Sequence, residues 1–278
     1  MRLKFFSAVM LVLFVTIPVF GYADNSGDAV EHKAKGSIDW TRGVIQAKGI
    51  GILPKEVSGN TNPRNEALTN AKLDAFHKIF EIAREVRIDG TTVVGDAALR
   101  DDAIRSKIEN MAKNAKVVKK EYLTDGTVKI AMEMNLRGGF AQLVLPKEIK
   151  PLDSITPVAM NKTSQQTFTG LVVDARGLDV RPVMVPKIID ESDQEVYGSA
   201  FVSREYAVQQ GMSGYGKDLE KIIHNRRVAG HPLVVKGLKA AGSGRSEIVI
   251  SNADASKLRS TSESLGFLKK CRVMIVVD

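Results

Sequence analysis

The stretch AKVVKKEYLTDGTVKIAMEMNL, residues 115–136, decides the fold of the first half of the chain. It holds two runs rich in β-forming residues, and Thr124-Asp125-Gly126 separates them. An aspartate-glycine pair supplies the positive backbone angles that a tight hairpin turn requires. The stretch therefore predicts two antiparallel strands, around which the rest of a small sheet can be built.

The segments before this hairpin predict one further strand and two helices. Residues 43–53 alternate between the two sides of a strand, and the glycines Gly49 and Gly51 permit a bulge or a close approach of another backbone. Asn62-Pro63 is a typical helix start, and apolar residues then recur at three- and four-residue steps. A second helix follows before the hairpin. We expect an α+β fold in which these helices pack on a small, mostly antiparallel sheet.

The second half of the chain predicts a separate domain. Residues 147–167 contain prolines and polar residues without a sustained period, which is typical of a linker. The runs FTGLVVDA, EIVISN and CRVMIVVD read as strands, and the serine and aspartate of Ser251-Asn252-Ala253-Asp254 match a helix capping box. We expect a mixed α/β domain over residues 168–278, with its last strand near the centre of the sheet.

The amino terminus has the pattern of a secretory signal peptide. Arg2 and Lys4 precede an apolar run, and Gly21-Tyr22-Ala23 offers the small residues of a cleavage site after Ala23. We therefore expect residues 1–23 to be removed and the mature protein to be periplasmic, with no transmembrane span; peripheral contact with a membrane stays open. No cysteine lies near the cut, so lipidation is not expected. Residues 24–41 are polar and predict an exposed lead segment, which places the first domain at residues 42–146.

Charge and composition exclude several functional classes. The net charge is +8, but lysines and arginines are scattered and are not interleaved with aromatic residues, so nucleic-acid binding is not expected. Four histidines lack metal-ligand spacing, and the lone Cys271 lies in an apolar stretch where a buried structural residue is expected. We predict no catalytic residue, no metal and no cofactor.

Two stretches deserve comparison with ligand-binding motifs. Gly211 and Gly216-Lys217 have the spacing of a phosphate-binding loop, but Asp218 replaces the magnesium-binding hydroxyl residue. We interpret this stretch as a glycine turn between two helices and expect no nucleotide. The other stretch, VVDARGLDVRP, places four charged residues at the end of a predicted strand, where α/β sheets bind ligands. These residues can hold an anion or a sugar, or can pair with one another; they are Asp174, Arg176, Asp179 and Arg181.

The first half also resembles a known family. The stretches AKGIGILP, NPRNEALTNAKLDAFHKIFEIAREVRIDGTTVV and IRSKIENMAKNAKVVKKEYLTDGTVKIAMEMNL are similar to the FlgP family of small envelope lipoproteins and to the amino-terminal domain of FlgT, over residues 43–138. The resemblance implies a non-enzymatic envelope module, which in some members is part of the ring or disc around the flagellar motor. The lipidated cysteine of that family is absent from this sequence.

These observations lead to three functional hypotheses. The first is a secreted envelope scaffold that binds envelope or flagellar proteins or a second copy of itself, using an exposed sheet edge. Lysines Lys116, Lys119 and Lys120 on that edge can equally serve to block such pairing. The second is a periplasmic binding module for a small anionic or sugar ligand, and the third is an unrecognised hydrolase in the second domain.

Overall fold

The computed structural model shows two sheets with helices packed on them, so the predicted α+β fold is confirmed. Within the part of the chain that the structure describes, no helix is long and apolar enough to cross a membrane. The expected signal peptide and most of the expected linker lie outside the described residues. The structure describes residues 27–52, 63–98, 100–149, 168–228, 230–260 and 262–278, with only the backbone described at 262–265.

The first sheet is fully antiparallel and has the order β1-β2-β3-β5-β4. The predicted hairpin forms β4 and β5, which pair across the Asp125-Gly126 turn. Its strands are β1 (Val30–Lys33), β2 (Gly36–Asp39), β3 (Val44–Gly51), β4 (Lys116–Tyr122) and β5 (Val128–Asn135). The helices of this half are α1 (Pro63–Glu85), α2 (Val94–Ala97), α3 (Asp102–Lys113) and α4 (Gly139–Val144).

The first sheet and helices α1 to α4 form the first module, and the elements after them form the second module. A close approach of α1 to β3 organises the first module. A Cβ atom on Gly49 would overlap the backbone oxygen of Ala71, and one on Gly51 would overlap that of Ala67. Both alanines are fully buried, so small residues on both sides let the helix lie directly on the strand. Of the two roles considered for these glycines, the structure therefore supports close backbone approach.

The prediction of an exposed lead segment over residues 24–41 is wrong for its described part. Residues 30–33 and 36–39 form β1 and β2, and Ile38 is completely buried in the core. A polar composition is compatible with β1, because it is a short strand at the edge of the sheet. Local composition does not reveal β2 either, because this strand is stabilised by its pairing with β3. The first sheet thus begins at Val30, before residue 42.

The second sheet is mixed and has the order β8-β7-β11-β10-β6-β12-β9. Its last strand in the chain, β12, is the sixth of seven in this order, so the prediction of a central position is wrong; β10 lies at the centre. The strands are β6 (Leu171–Asp174), β7 (Lys187–Asp190), β8 (Glu195–Tyr197), β9 (Gly214–Gly216), β10 (Leu233–Ala241), β11 (Glu247–Ile250) and β12 (Val273–Val276). The helices are α5 (Arg204–Gln210), α6 (Leu219–Ile223), α7 (Asn252–Arg259) and α8 (Ser262–Lys269).

The glycine-rich stretch from Gly211 to Lys217 lies between two helices, as we expected, but its centre forms a strand and not a turn. Its central residues make up β9, which pairs in parallel with β12 and is fully buried. Asp218 caps α6 by accepting a hydrogen bond from Lys221 N at 3.2 Å. Asp218, which stands where a phosphate-binding loop has its magnesium ligand, therefore has a structural role.

Candidate ligand-binding cleft

A cleft of about 460 Å³ lies where the two sheets meet. Three parallel strands of the second sheet, β6, β12 and β9, end at this cleft, and residues that follow them line it. The first module closes the opposite side with β1, Trp40 and Arg87, which lies two residues after the end of α1. The lining consists of Ala29, Val30, Glu31, Lys33, Trp40, Arg87, Asp179, Val180, Arg181, Pro182, Lys217, Val277 and Asp278.

Arg87 joins the two modules at the wall of the cleft. Its Nη1 and Nη2 atoms donate to the two carboxylate oxygens of Glu31 at 3.0 and 2.6 Å, and its Nε atom donates to the carbonyl oxygen of Pro182 at 3.1 Å. The Arg87 and Glu31 side chains are only 17% and 25% exposed. A bidentate pair of this kind fixes orientation as well as charge.

Trp40 extends this contact to the second sheet. Its indole Nε1 donates to Glu31 at 3.1 Å, and the Arg87 guanidinium carbon lies 6.0 Å from the centre of its ring. The Trp40 and Tyr215 rings meet edge to face with centroids 5.9 Å apart. The Tyr215 hydroxyl donates to Val183 O at 2.9 Å and accepts from Val183 N at 3.2 Å, and burial raises its pKa.

Glu31 is held as a carboxylate by three neighbours. Burial acts to raise its pKa, but hydrogen bonds from Arg87, Lys33 and Trp40 outweigh it and lower the pKa to about 2. Lys33 Nζ lies 2.9 Å from Glu31. Because the ionised form is stabilised by these contacts, Glu31 stays charged throughout the neutral range.

Backbone hydrogen bonds reinforce the joint between the modules. Met184 N donates to Arg87 O at 3.0 Å and Val185 N donates to Ile88 O at 2.7 Å. At the cleft's other end Lys217 N donates to the carbonyl oxygen of residue 27 at 2.9 Å. The two modules therefore share main-chain bonds as well as side-chain contacts.

The four residues predicted as a ligand site divide into two pairs. Asp174 and Arg176 form a bidentate ion pair with each other at 2.7 and 2.8 Å, and the Arg176 hydrogen bond lowers the pKa of Asp174. Neither residue is among those lining the cleft. For Asp174 and Arg176 the structure therefore supports the alternative in which the charged residues pair with each other and do not bind a ligand.

Asp179 and Arg181 do line the cleft. Asp179 has a left-handed backbone with φ of 53°, and its carboxylate pairs with Arg245 at 2.9 Å. The Asp278 carboxylate supports the same loop by accepting hydrogen bonds from the backbone N–H groups of residues 177 and 179 at 2.7 and 3.2 Å. These contacts fix the position of the loop from which the Arg181 side chain extends.

The sequence reasoning missed Glu31, Trp40, Arg87 and Lys217 as cleft residues. The lone tryptophan was a signal, because tryptophan is enriched at interfaces where its apolar ring and its N–H group both find partners. The partners of Arg87 lie far along the chain, however, and no local pattern connects them. Among the described residues, no group of three histidine, cysteine, aspartate or glutamate side chains is arranged to hold a metal ion.

Comparison with known proteins finds a similarity for the second module alone. Residues 170–278 match the family model of the second domain of Treponema pallidum Tp0624. A comparison with curated proteins gives no match. The family match begins after residues 43–138, so the resemblance of that region to the FlgP family stays a prediction.

Proposed function

We propose that this protein is a non-enzymatic scaffold of the bacterial cell envelope, exported to the periplasm without lipidation. In this role it binds other envelope or flagellar proteins, or a second copy of itself, and presents its two modules as one stiff block. The observation that carries the proposal is the joint around Arg87, which connects β1, the end of α1 and the loop before β7.

The energetics of the joint support a rigid block. Domains linked only by a flexible segment move independently, whereas a partly buried bidentate pair, an aromatic contact and several main-chain bonds resist relative motion. The hydrophobic core is also continuous, since buried side chains of both sheets belong to one cluster. A rigid spacing between two surfaces is what a scaffold needs in order to position its partners.

The edge strand β4 is the surface that we propose for assembly. Among the described residues it pairs with β5 alone, and its apolar Val118 and Tyr122 are 44% and 55% exposed. An edge of this kind can pair with a strand of another chain. Against this, a bulge at residue 118 and the lysines of β4 reduce its capacity to pair.

The hydrogen bonds made by the carboxylates in the cleft favour a binding role for this protein over a catalytic role. Glu31, Asp179 and Asp278 each accept hydrogen bonds or ion pairs from neighbouring groups. A general base or nucleophile needs a lone pair directed at a substrate, whereas Glu31 and Asp278 direct theirs to N–H groups in the walls of the cleft.

The test is the mass of the purified mature protein by size-exclusion chromatography with light scattering, and its retention of outer-membrane proteins on a column. We expect an oligomer or retained envelope proteins, and expect Val118→Lys with Tyr122→Lys to abolish either. The matched control is Val234→Lys with Leu238→Lys, which changes apolar residues of the second module that are 45% and 48% exposed. A strictly monomeric protein that retains nothing would refute the scaffold role.

A further inference from the structure

In the cleft between the modules the acidic side chains are paired, whereas two basic side chains are not. The acidic side chains of Glu31, Asp179 and Asp278 each have a partner, and the cations Lys33 and Arg87 are both paired with Glu31. In the described part of the chain, Arg181 and Lys217 have no ion pair, and both side chains are exposed at the cleft. Two cations without counter-charges therefore face a concave space whose acidic groups are already engaged.

The position of these cations in the fold is also informative. Lys217 directly follows β9, and Arg181 lies in the loop after β6. Both strands run parallel to β12, which lies between them, so their carboxyl ends open on the same edge of the sheet. Open α/β sheets bind ligands beyond the carboxyl ends of their strands.

We propose that this cleft binds a small organic or inorganic oxyanion, with Arg181 and Lys217 as its cationic ligands. The planar guanidinium of Arg181 can donate two parallel hydrogen bonds to a carboxylate or phosphate, and Lys217 adds a compact charge. Val180, Pro182 and Val277 supply an apolar wall for the rest of such a molecule. The volume of about 460 Å³ suits a small molecule, since ligand pockets commonly range from about 300 to 1,000 Å³.

This inference is independent of the scaffold role, because it requires neither an oligomer nor a protein partner. It also differs from the site expected from the sequence. Asp174 and Arg176 are excluded because they are paired outside the cleft, and Lys217 is added from a different strand. Trp40 provides a direct readout, because it is the one tryptophan of the chain and lines the cleft.

The experiment titrates potassium phosphate and, separately, potassium citrate into the mature protein at constant ionic strength set with potassium chloride. Binding is followed by Trp40 fluorescence and by the melting temperature. We expect at least one oxyanion to change both signals beyond the chloride reference. An effect of phosphate alone assigns a phosphoryl ligand, and an effect of citrate alone assigns a carboxylate ligand.

Variants connect the signal to the proposed residues. Arg181→Gln combined with Lys217→Gln is expected to weaken binding by about tenfold or more. Arg176→Gln, which removes an exposed arginine outside the cleft lining, is expected to leave binding unchanged. If the double variant does not fold, Arg181→Lys keeps the charge, loses the planar fork and is expected to bind more weakly than the native protein.

Three results would overturn the proposal. The first is that neither oxyanion changes the fluorescence or the melting temperature more than chloride does. The second is that the variants at positions 181 and 217 bind as tightly as the native protein. The third is that Arg176→Gln weakens binding as much as they do.

Discussion

Arg87 Nη2 lies 2.6 Å from Glu31 Oε2, and this contact joins the end of α1 to the edge strand β1 beside the second module. The same guanidinium reaches the Pro182 carbonyl in the second module. One side chain thus holds together three segments that are distant in sequence: β1, the residues after α1 and the loop before β7. Its removal leaves a partly buried carboxylate without its main partner, which is more costly than losing an exposed pair.

Arg87→Gln is expected to lower the free energy of unfolding by about 2 kcal/mol, because it leaves Glu31 underpaired and releases Pro182 O. Urea denaturation of the purified protein measures the change. Arg84→Gln is the matched control, since Arg84 makes a longer 3.7 Å contact and its side chain is 52% exposed. That change is expected to cost less than about 1 kcal/mol. Equal losses in the two variants would contradict a special role for Arg87.

The stability contribution of Glu31 is expected to depend on pH. Its pKa in the folded protein is about 2, below the ordinary value of 4.5, so folding favours the ionised form. The stabilisation is complete above the unfolded pKa and is lost as the pH falls from about 4.5 towards 2.

The measurement is urea denaturation of the native protein and Glu31→Gln at several pH values. The native protein is expected to be more stable at neutral pH, and the difference is expected to shrink below about pH 4.5. A difference that stays constant over this acidic range would show that Glu31 is not held ionised by its neighbours.

Gly49→Ala and Gly51→Ala are each expected to destabilise the protein by about 2 to 3 kcal/mol, because the new methyl group meets the backbone of α1. Thermal or urea unfolding measures the loss. Gly266→Ala is the control: a Cβ there meets no atom within 4 Å, and helix propensity predicts a gain of up to about 1 kcal/mol. If α1 can shift outward at little cost, Gly49→Ala will instead be neutral.

Cys271 is expected to be inert towards thiol reagents in the folded protein. It is completely buried, and burial raises its pKa to about 12, so almost no reactive thiolate is present near neutral pH. A colorimetric thiol assay at about pH 8 is expected to detect no free thiol until denaturant is added, and then one per chain. Rapid labelling of the native protein would show that this region opens.

Local signals in the sequence predicted the elements whose geometry is fixed by near neighbours. The hairpin turn is an example, since Gly126 has φ of 84° and Thr127 N donates to Asp125 Oδ1 at 2.9 Å. The capping box is another: Asp254 N donates to Ser251 Oγ at 3.0 Å, and the hydroxyl donates back to the carboxylate at 2.8 Å. In each case a few adjacent residues contain the whole interaction.

Elements that depend on distant partners were not predictable in this way. The strand β9 consists of Gly-Tyr-Gly, and its burial comes from pairing with β12 and from the packing of Tyr215 on Trp40. Likewise, Arg87 and Glu31 are 56 residues apart, and Pro182 lies further still. Arg181 could be predicted as a cleft residue because it follows a recognisable strand. Lys217 could not, because it follows β9, a strand that composition does not reveal.

The burial of Cys271 has a practical consequence for measuring how the two modules are arranged. Because the one native thiol is shielded, cysteines introduced at exposed positions such as Glu109 and Lys239 would be the only sites open to spin labels. One label on each module would then allow the separation of the two modules to be measured by electron paramagnetic resonance. No native side chain in the core would have to be replaced for this purpose.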